Sequence, residues 1–176
     1  MDGSVKEIIN IANKFNIITI LDSYGTAFKT ALSEKPFCVK QNRKEAESYF
    51  GFSLSKQVKI LDAIERLHKK DVKLVILTSG EEWVYAGFNG YVWKLNSPKV
   101  KTVNPTGSGD AMAGSIALDL LSCNINSLSP DQIEVILAKS VAAGAANAMV
   151  WLPCHITRQM VNKLIPKVKV EQINRK

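Results

Sequence analysis

Helix-period and strand-period segments take turns along this chain, and that alternation restricts its fold more than any single motif does. Residues 4–15 (SVKEIINIANKF) place Val5, Ile8, Ile9, Ala12 and Phe15 on one predicted helical face. Residues 16–22 (NIITILD) follow as a short β-branched run that ends at Asp22. A short helix over 26–34, a short strand over 36–40 and a helix over 43–51 closed by Gly51 come next. The stretch 55–70 is amphipathic, with Val58, Leu61, Ile64 and Leu67 at helical spacing. It leads into VKLVILTS, the clearest buried strand, where five of the six residues from 72 to 77 are apolar. Asn89 and Gly90 lie between two aromatic, β-branched runs and predict a hairpin, because both tolerate positive φ. Tyr91 and Trp93 are assigned to packing that hairpin, and His68 and His155 to ordinary packing or surface positions. A strand over 99–103 (KVKTV) then enters a glycine loop, and a helix starts at or near Asp110. A long helix opens on Ser129, Pro130, Asp131 and Gln132, a capping-box pattern with proline at the first helical position. A last helix covers roughly 157–164.

Such alternation predicts an α/β layered fold, a mostly parallel sheet flanked by helices, in a single domain over 1–176. Ligands of open α/β sheets sit beyond the carboxyl ends of the strands. Asp22, Thr78, Gly80 and residues 107–110 all follow predicted strands, so the topology would draw them to one rim.

Composition narrows the function. Apolar residues make up 46% and charged residues 22%, the profile of a globular chain rather than a disordered one. No apolar run reaches the ~20 residues a membrane span needs, and no partner membrane is expected. The start, MDGSVKEIIN, has no apolar core of a secretory signal. Cys38, Cys123 and Cys154 are scattered and odd in number, which fits a reducing cytoplasm and no zinc site. The net charge is +7, but the lysines are spread apart from a mild C-terminal cluster. Without basic runs interleaved with aromatics, or helix-turn-helix or zinc-finger spacing, nucleic acid is not expected as a partner.

The richest motif is VNPTGSGDAMAG, residues 103–114. A helix begins directly after its glycines, and helix N-termini carry unpaired N–H groups and partial positive charge. Gly107, Ser108 and Gly109 could therefore cradle an oxyanion, although a tight turn needs glycines with no ligand at all. Neither a Walker loop nor a dinucleotide fingerprint is present. Asp110 reads either as a helix-capping residue or as a general base. In the second reading the amides meet a transferring phosphoryl group, and the carboxylate takes the proton of the attacking hydroxyl.

NPTGSGDAMAGS resembles the second signature of the ribokinase-like (pfkB) carbohydrate kinases, D/N-x-x-G-A/S-G-D-x-φ-x-x-G. The resemblance implies Asp110 as catalytic base and Gly107, Ser108 and Gly109 as anion hole. KQNRKEAE resembles the family's K-x-N-x-x-E element, which implies a network of Asn42 and Glu45 with water and Mg²⁺ around the nucleotide phosphates. LVILTSGEEW resembles the strand and T/S-x-G element that lies along the nucleotide, carried here by Thr78 and Gly80, with Trp83 where a second glycine is usual. KSVAAGAANAMVWLPCHI resembles the small-residue helix that walls the adenine pocket, with Asn147 among the nucleotide contacts; close packing through alanines explains the same composition. ILDSYG together with NPxGSGD and ANAM points to the tagatose-6-phosphate kinase and 1-phosphofructokinase branch.

The resemblance covers nearly the whole chain, yet only the C-terminal part of the family pattern. It implies a ribokinase-like layered fold missing its N-terminal strands and lid. It also implies an ATP- and Mg²⁺-dependent transfer of phosphoryl to a hydroxyl of a sugar phosphate. The piece by itself is expected to be poorly active, since positioning and water exclusion come from the part not matched. The alternative is a non-catalytic nucleotide-binding or assembly module derived from a sugar kinase. A missing N-terminal part or a second copy is expected to cover an exposed sheet edge.

Overall fold

The computed structural model describes residues 2–173. Residues 174–176 of the C-terminal basic cluster, and Met1 at the other end, lie outside the described residues. The chain divides into two compact units, Met1–Gly80 with Tyr85–Gly90, and Glu81–Val84 with Tyr91–Lys176. Strand order in the sheet follows the sequence, β1 (Ile20–Asp22), β2 (Cys38–Asn42), β3 (Leu74–Ser79), β4 (Trp83–Phe88), β5 (Tyr91–Asn96) and β6 (Lys169–Gln172). The mixed sheet with flanking helices is the α/β class the sequence predicts. No helix among the described residues is long and apolar enough to cross a membrane.

In the first unit, β1, β2 and β3 run parallel, with Ile20 opposite Cys38 and Cys38 opposite Leu74. Helices α1 (Asp2–Lys14), α2 (Gly25–Leu32), α3 (Arg43–Phe50) and α4 (Gln57–His68) supply the flanks. Parallel strands covered on both faces read as continuous apolar runs, and β3 is buried from Leu74 to Thr78. The stripe that α4 buries is Ile60, Ala63, Ile64 and Leu67. That corrects the expected face: Val58 is 66% exposed. Steps of three alone drift around a helix of 3.6 residues per turn, whereas the i, i+3, i+4, i+7 set stays on one side. α1 departs similarly. Ile9 and Ala12 are buried, but Ile8 and Phe15 face outward.

Among these helices α3 is closed most tightly. Asn42 and Glu45 form a reciprocal capping box on α3, and Gly51 ends that helix at φ 75°. Glu47 then ties down the following loop. Its Oε1 accepts from the Leu54 amide at 2.7 Å, the Ser53 hydroxyl at 3.1 Å and Arg43 Nε at 2.9 Å.

In the second unit, β5 pairs antiparallel with β6, with Trp93 opposite Gln172. Helices α5 (Ser108–Leu120), α6 (Pro130–Ala148) and α7 (Arg158–Leu164) complete it. The capping box of Ser129 and Gln132 forms at the start of α6, with Pro130 in the first turn. Trp93 is fully buried and its indole Nε1 donates to Glu134 of α6 at 3.0 Å. Two expectations are corrected here. β6 was not foreseen, and 99–103 is not a strand. The amides of Val103 and Asn104 both donate to the Ala148 carbonyl at the end of α6, at 2.7 and 3.2 Å. Val100 packs on the cluster of Ala142, Ala145, Ala146 and Leu164. The segment is held by a helix end instead of a neighbouring strand.

Glu47 gives a pH prediction. The Leu54 amide, then Arg43, hold its carboxyl below the ordinary glutamate range. A carboxyl with a depressed folded-state pKa contributes stability that is complete above its unfolded value, about 4.3, and is lost as pH falls through the folded value. Urea midpoints of Glu47→Gln and the parent chain should therefore differ most near neutrality and converge in acid. A constant gap across the acid range would contradict this.

Candidate active site

The glycine loop is built from α6 outward. Asn104 Oδ1 accepts from the Thr106 amide at 3.0 Å, and its Nδ2 donates to the Trp151 carbonyl at 2.9 Å. Gly107 sits at φ 81°, and a Cβ there would lie 2.9 Å from Pro153 Cβ. Both the left-handed backbone and the crowding require glycine. α5 starts at once, with Gly107 as its N-cap and Asp110 in the first turn.

Asn147 locks this loop. It is fully buried. Its Nδ2 donates to the Thr106 carbonyl at 2.8 Å and to Ser108 Oγ at 3.1 Å, and its Oδ1 accepts from the Cys154 amide at 2.6 Å. Both ends of its amide are engaged within the chain, so it positions the loop. The small residues of α6 find a similar explanation. A Cβ on Gly144 would lie 2.9 Å from Met112 Cγ and 3.2 Å from the Ser108 carbonyl, so α5 and α6 meet where no side chain fits.

The amides at the start of α5 divide into two kinds. Ser108 N donates to the Pro105 carbonyl at 3.1 Å. Of the expected anion hole of Gly107, Ser108 and Gly109, that amide is the one engaged within the loop. The amides of Gly107, Gly109 and Asp110 have no acceptor among the described residues. The Asp110 amide is the donor that the sequence reading missed, though its first-turn position in a helix was the signal.

The Asp110 side chain is exposed and forms no hydrogen bond or ion pair among the described residues. It opens on a cavity of about 660 Å³ shared by α5, α6 and α7. Gly114, Ala143 and Ile156 line it, and Lys139 and Arg158 bring positive charge. Lys139 Nζ bridges Asp119 Oδ1 at 3.0 Å, while the buried Asp119 Oδ2 has no partner among the described residues.

The remaining candidates lie in the first unit. Asn42 and Thr78 are register partners at the carboxyl ends of β2 and β3. Gly80 follows at φ 50°. Asn42 Oδ1 accepts from the Glu45 amide at 3.0 Å, and Glu45 Oε2 accepts from the Asn42 amide at 2.9 Å. Beside them Asp22 bridges Lys40, whose side chain is 5% exposed, at 2.6 Å. Lys40 is the lysine of the K-x-N-x-x-E element, although the sequence reading gave a role only to Asn42 and Glu45 there.

No three His, Cys, Asp or Glu side chains gather as a metal cage among the described residues. The pair Asn42 and Glu45 fits magnesium in another way. Mg²⁺ keeps several waters and takes few protein ligands, and one carboxylate beside an amide suits a hydrated ion.

This architecture is that of ribokinase-like α/β kinases. It aligns with phosphofructokinase-2 from Escherichia coli at TM-score 0.82 and 23% identity, over 94% of this chain and 52% of that one. It aligns with ribokinase from Thermotoga maritima at TM-score 0.69 and 22% identity, over 90% and 52%. In sequence, the chain is 29% identical over 170 residues to tagatose-6-phosphate kinase of Staphylococcus epidermidis, covering 95% of this chain and 53% of that protein. The profile of the pfkB family carbohydrate kinases matches residues 3–164, and the chain belongs to that family. It spans about half the length of the relatives it matches.

The clamp predicts its own test. Asn147→Ala removes three part-buried hydrogen bonds, at roughly 1–3 kcal/mol for each stranded group that water cannot reach. Thermal unfolding should shift down, and amide exchange at residues 106–110 should accelerate more than elsewhere. Uniform exchange with an unchanged melting temperature would refute the clamp.

Proposed function

We propose that this chain is the nucleotide-binding and catalytic-base portion of an ATP-dependent sugar-phosphate kinase, acting on the tagatose 6-phosphate or fructose 1-phosphate class. The observation that carries this reading is the exposed carboxylate of Asp110 in the first turn of α5, unpaired among the described residues, beside amides with no acceptor among them. A helix start attracts phosphate oxygens through its free N–H groups and dipole. An unpaired carboxylate there accepts the proton of an attacking hydroxyl as its oxygen bonds to phosphorus. The cavity beside Asp110 has the volume of a small-molecule site, and Lys139 and Arg158 suit a polyanionic ligand.

In the first unit, Thr78 and Gly80 are assigned by motif to the nucleotide, and Asn42 and Glu45 to its phosphates. Magnesium, when bound, neutralises phosphate charge; Glu45 would hold it through its carboxylate. The second reading, a nucleotide-binding module without turnover, draws support from the span of about half of the relatives' length.

Asp110→Asn separates the two. Calorimetric titration of the full chain with ATP and Mg²⁺ should give affinities within about threefold for parent and variant, since the amides remain. With each chain complemented by the remainder of a pfkB kinase, sugar-phosphate phosphorylation should fall by about 10²–10⁴ in the variant, the usual contribution of a general base. Equal turnover in both would sink the assignment of Asp110. Binding without turnover in the parent would favour the module.

A further inference from the structure

The candidate residues of the first unit gather at the carboxyl ends of its parallel strands. The amino ends of the same strands carry a different feature. Helices α1, α2 and α4 deliver the chain there, just ahead of β1, β2 and β3 in turn. Each of these turns passes through a non-glycine residue at positive φ: Asn16 at 54°, Lys35 at 56° and Asp71 at 67°. Glycine closes a helix this way with the least strain. At Lys35 or Asp71, however, glycine would remove an ion pair. Lys35 Nζ lies 2.8 Å from Asp71 Oδ2 and ties the turn before β2 to the turn before β3.

Both residues line a cavity of about 390 Å³, within the range of small-molecule sites. Ile17 and the half-buried Phe37 give it apolar walls, and Thr19 and Lys73 give it polar ones. Main-chain bonds hold its frame. The Phe37 carbonyl accepts from the amides of Lys73 and Leu74 at 3.0 and 2.9 Å, and the Cys38 amide donates to the Thr19 carbonyl at 3.0 Å. The starts of three adjacent strands are thus fixed, and the cavity is preformed.

Charge decides what it takes. Lys35 is committed to Asp71. Lys73 forms no ion pair or side-chain hydrogen bond among the described residues. It stands close enough to Asp71 to assist Lys35 in holding that carboxyl below its ordinary range. The pull of a helix end on lysine fades within the last turn, and Lys73 lies beyond the end of α4 and past the turn at Asp71. Helix capping therefore does not account for it. The lining holds two lysines against one aspartate. Thr19 Oγ1 accepts from the Phe37 amide at 3.4 Å and keeps its hydroxyl hydrogen to donate.

We infer that this cavity is a second small-molecule site, for an organic carboxylate with an apolar body. The carboxylate meets Lys73 and the Thr19 hydroxyl, and the body lies against Phe37 and Ile17. A single negative charge balances the lining and leaves the pair of Lys35 and Asp71 intact. A phosphate dianion would exceed that balance and compete with Asp71 for Lys35. None of these residues belongs to the glycine loop or to the motifs assigned to the nucleotide, so this inference and the role of Asp110 can fail separately.

Titration of the full chain with naphthoate, followed by amide-resolved NMR, tests the site. The amides of Thr19, Phe37 and Lys73 should shift most. Lys73→Gln should weaken binding by about threefold or more, the scale of a partly exposed charge pair, and Lys73→Arg should retain it. Both variants keep the main-chain bond to Phe37, so spectra away from the cavity should stay unchanged. Naphthamide, the neutral counterpart, should bind more weakly by a similar factor. No shift at the cavity with about 10 mM naphthoate overturns the inference, and so do shifts confined to the cavity of α5, α6 and α7. Equal binding by Lys73→Gln, or of naphthamide, overturns the role of charge. Tighter binding of naphthyl phosphate overturns the carboxylate in favour of a phosphate ester.

Discussion

Everything the second unit offers to a ligand depends on one buried amide. Asn147 reaches back from the last turn of α6 to the Thr106 carbonyl and the Ser108 hydroxyl, and forward to the Cys154 amide. A loop with Gly107 and Gly109 has little conformational preference of its own. Held by a buried side chain with both polar ends satisfied, it has one shape. The left-handed turn at Gly107 then delivers α5 with its first amides and Asp110 in fixed relation. Preorganised donors of this kind act on charge without reorganising when it appears.

The same logic governs the first unit, through strand register instead of a clamp. Parallel pairing sets Asn42 level with Thr78, and Asp22 level with Lys40. The Lys40–Asp22 pair is largely shielded from water on the lysine side. Such a pair costs desolvation that its attraction repays only in good geometry, and 2.6 Å is good geometry. Gln41, fully buried between these positions, donates to the Ser23 carbonyl. A row of polar groups thus closes the carboxyl ends of strands that are apolar below.

Features determined within a few residues were legible in the sequence. The β3 run, the capping box at Ser129, Gly51 and the paired positive φ at Asn89 and Gly90 depend on neighbours alone. Features determined by distant partners were not. KVKTV has the pattern of a strand, yet its continuation, Val103, bonds Ala148, which lies far along the chain. Strand β6 reads as a charged tail until β5 supplies its ladder. The clamp of Asn147 was hidden because a sequence shows an amide without showing what faces it. The partner of the Ser108 amide was hidden for the same reason: the Pro105 carbonyl that takes it is visible only once the turn is folded.

The contrast between Asp110 and the other acids bears on chemistry. Glu47, Glu34 and Asp71 each have a cation or amide partner that holds their carboxyls low. They are ions that the fold uses. Asp110 has a helix start next to it and no bonding partner among the described residues. As a cap it would engage a backbone N–H of its own helix, and it engages none; Gly107 is the N-cap. In the function proposed above, a carboxylate kept out of structural use, beside donors equally unused, would serve a third body that carries both a proton to give and a negative charge to hold. A hydroxyl meeting a phosphoryl group has both.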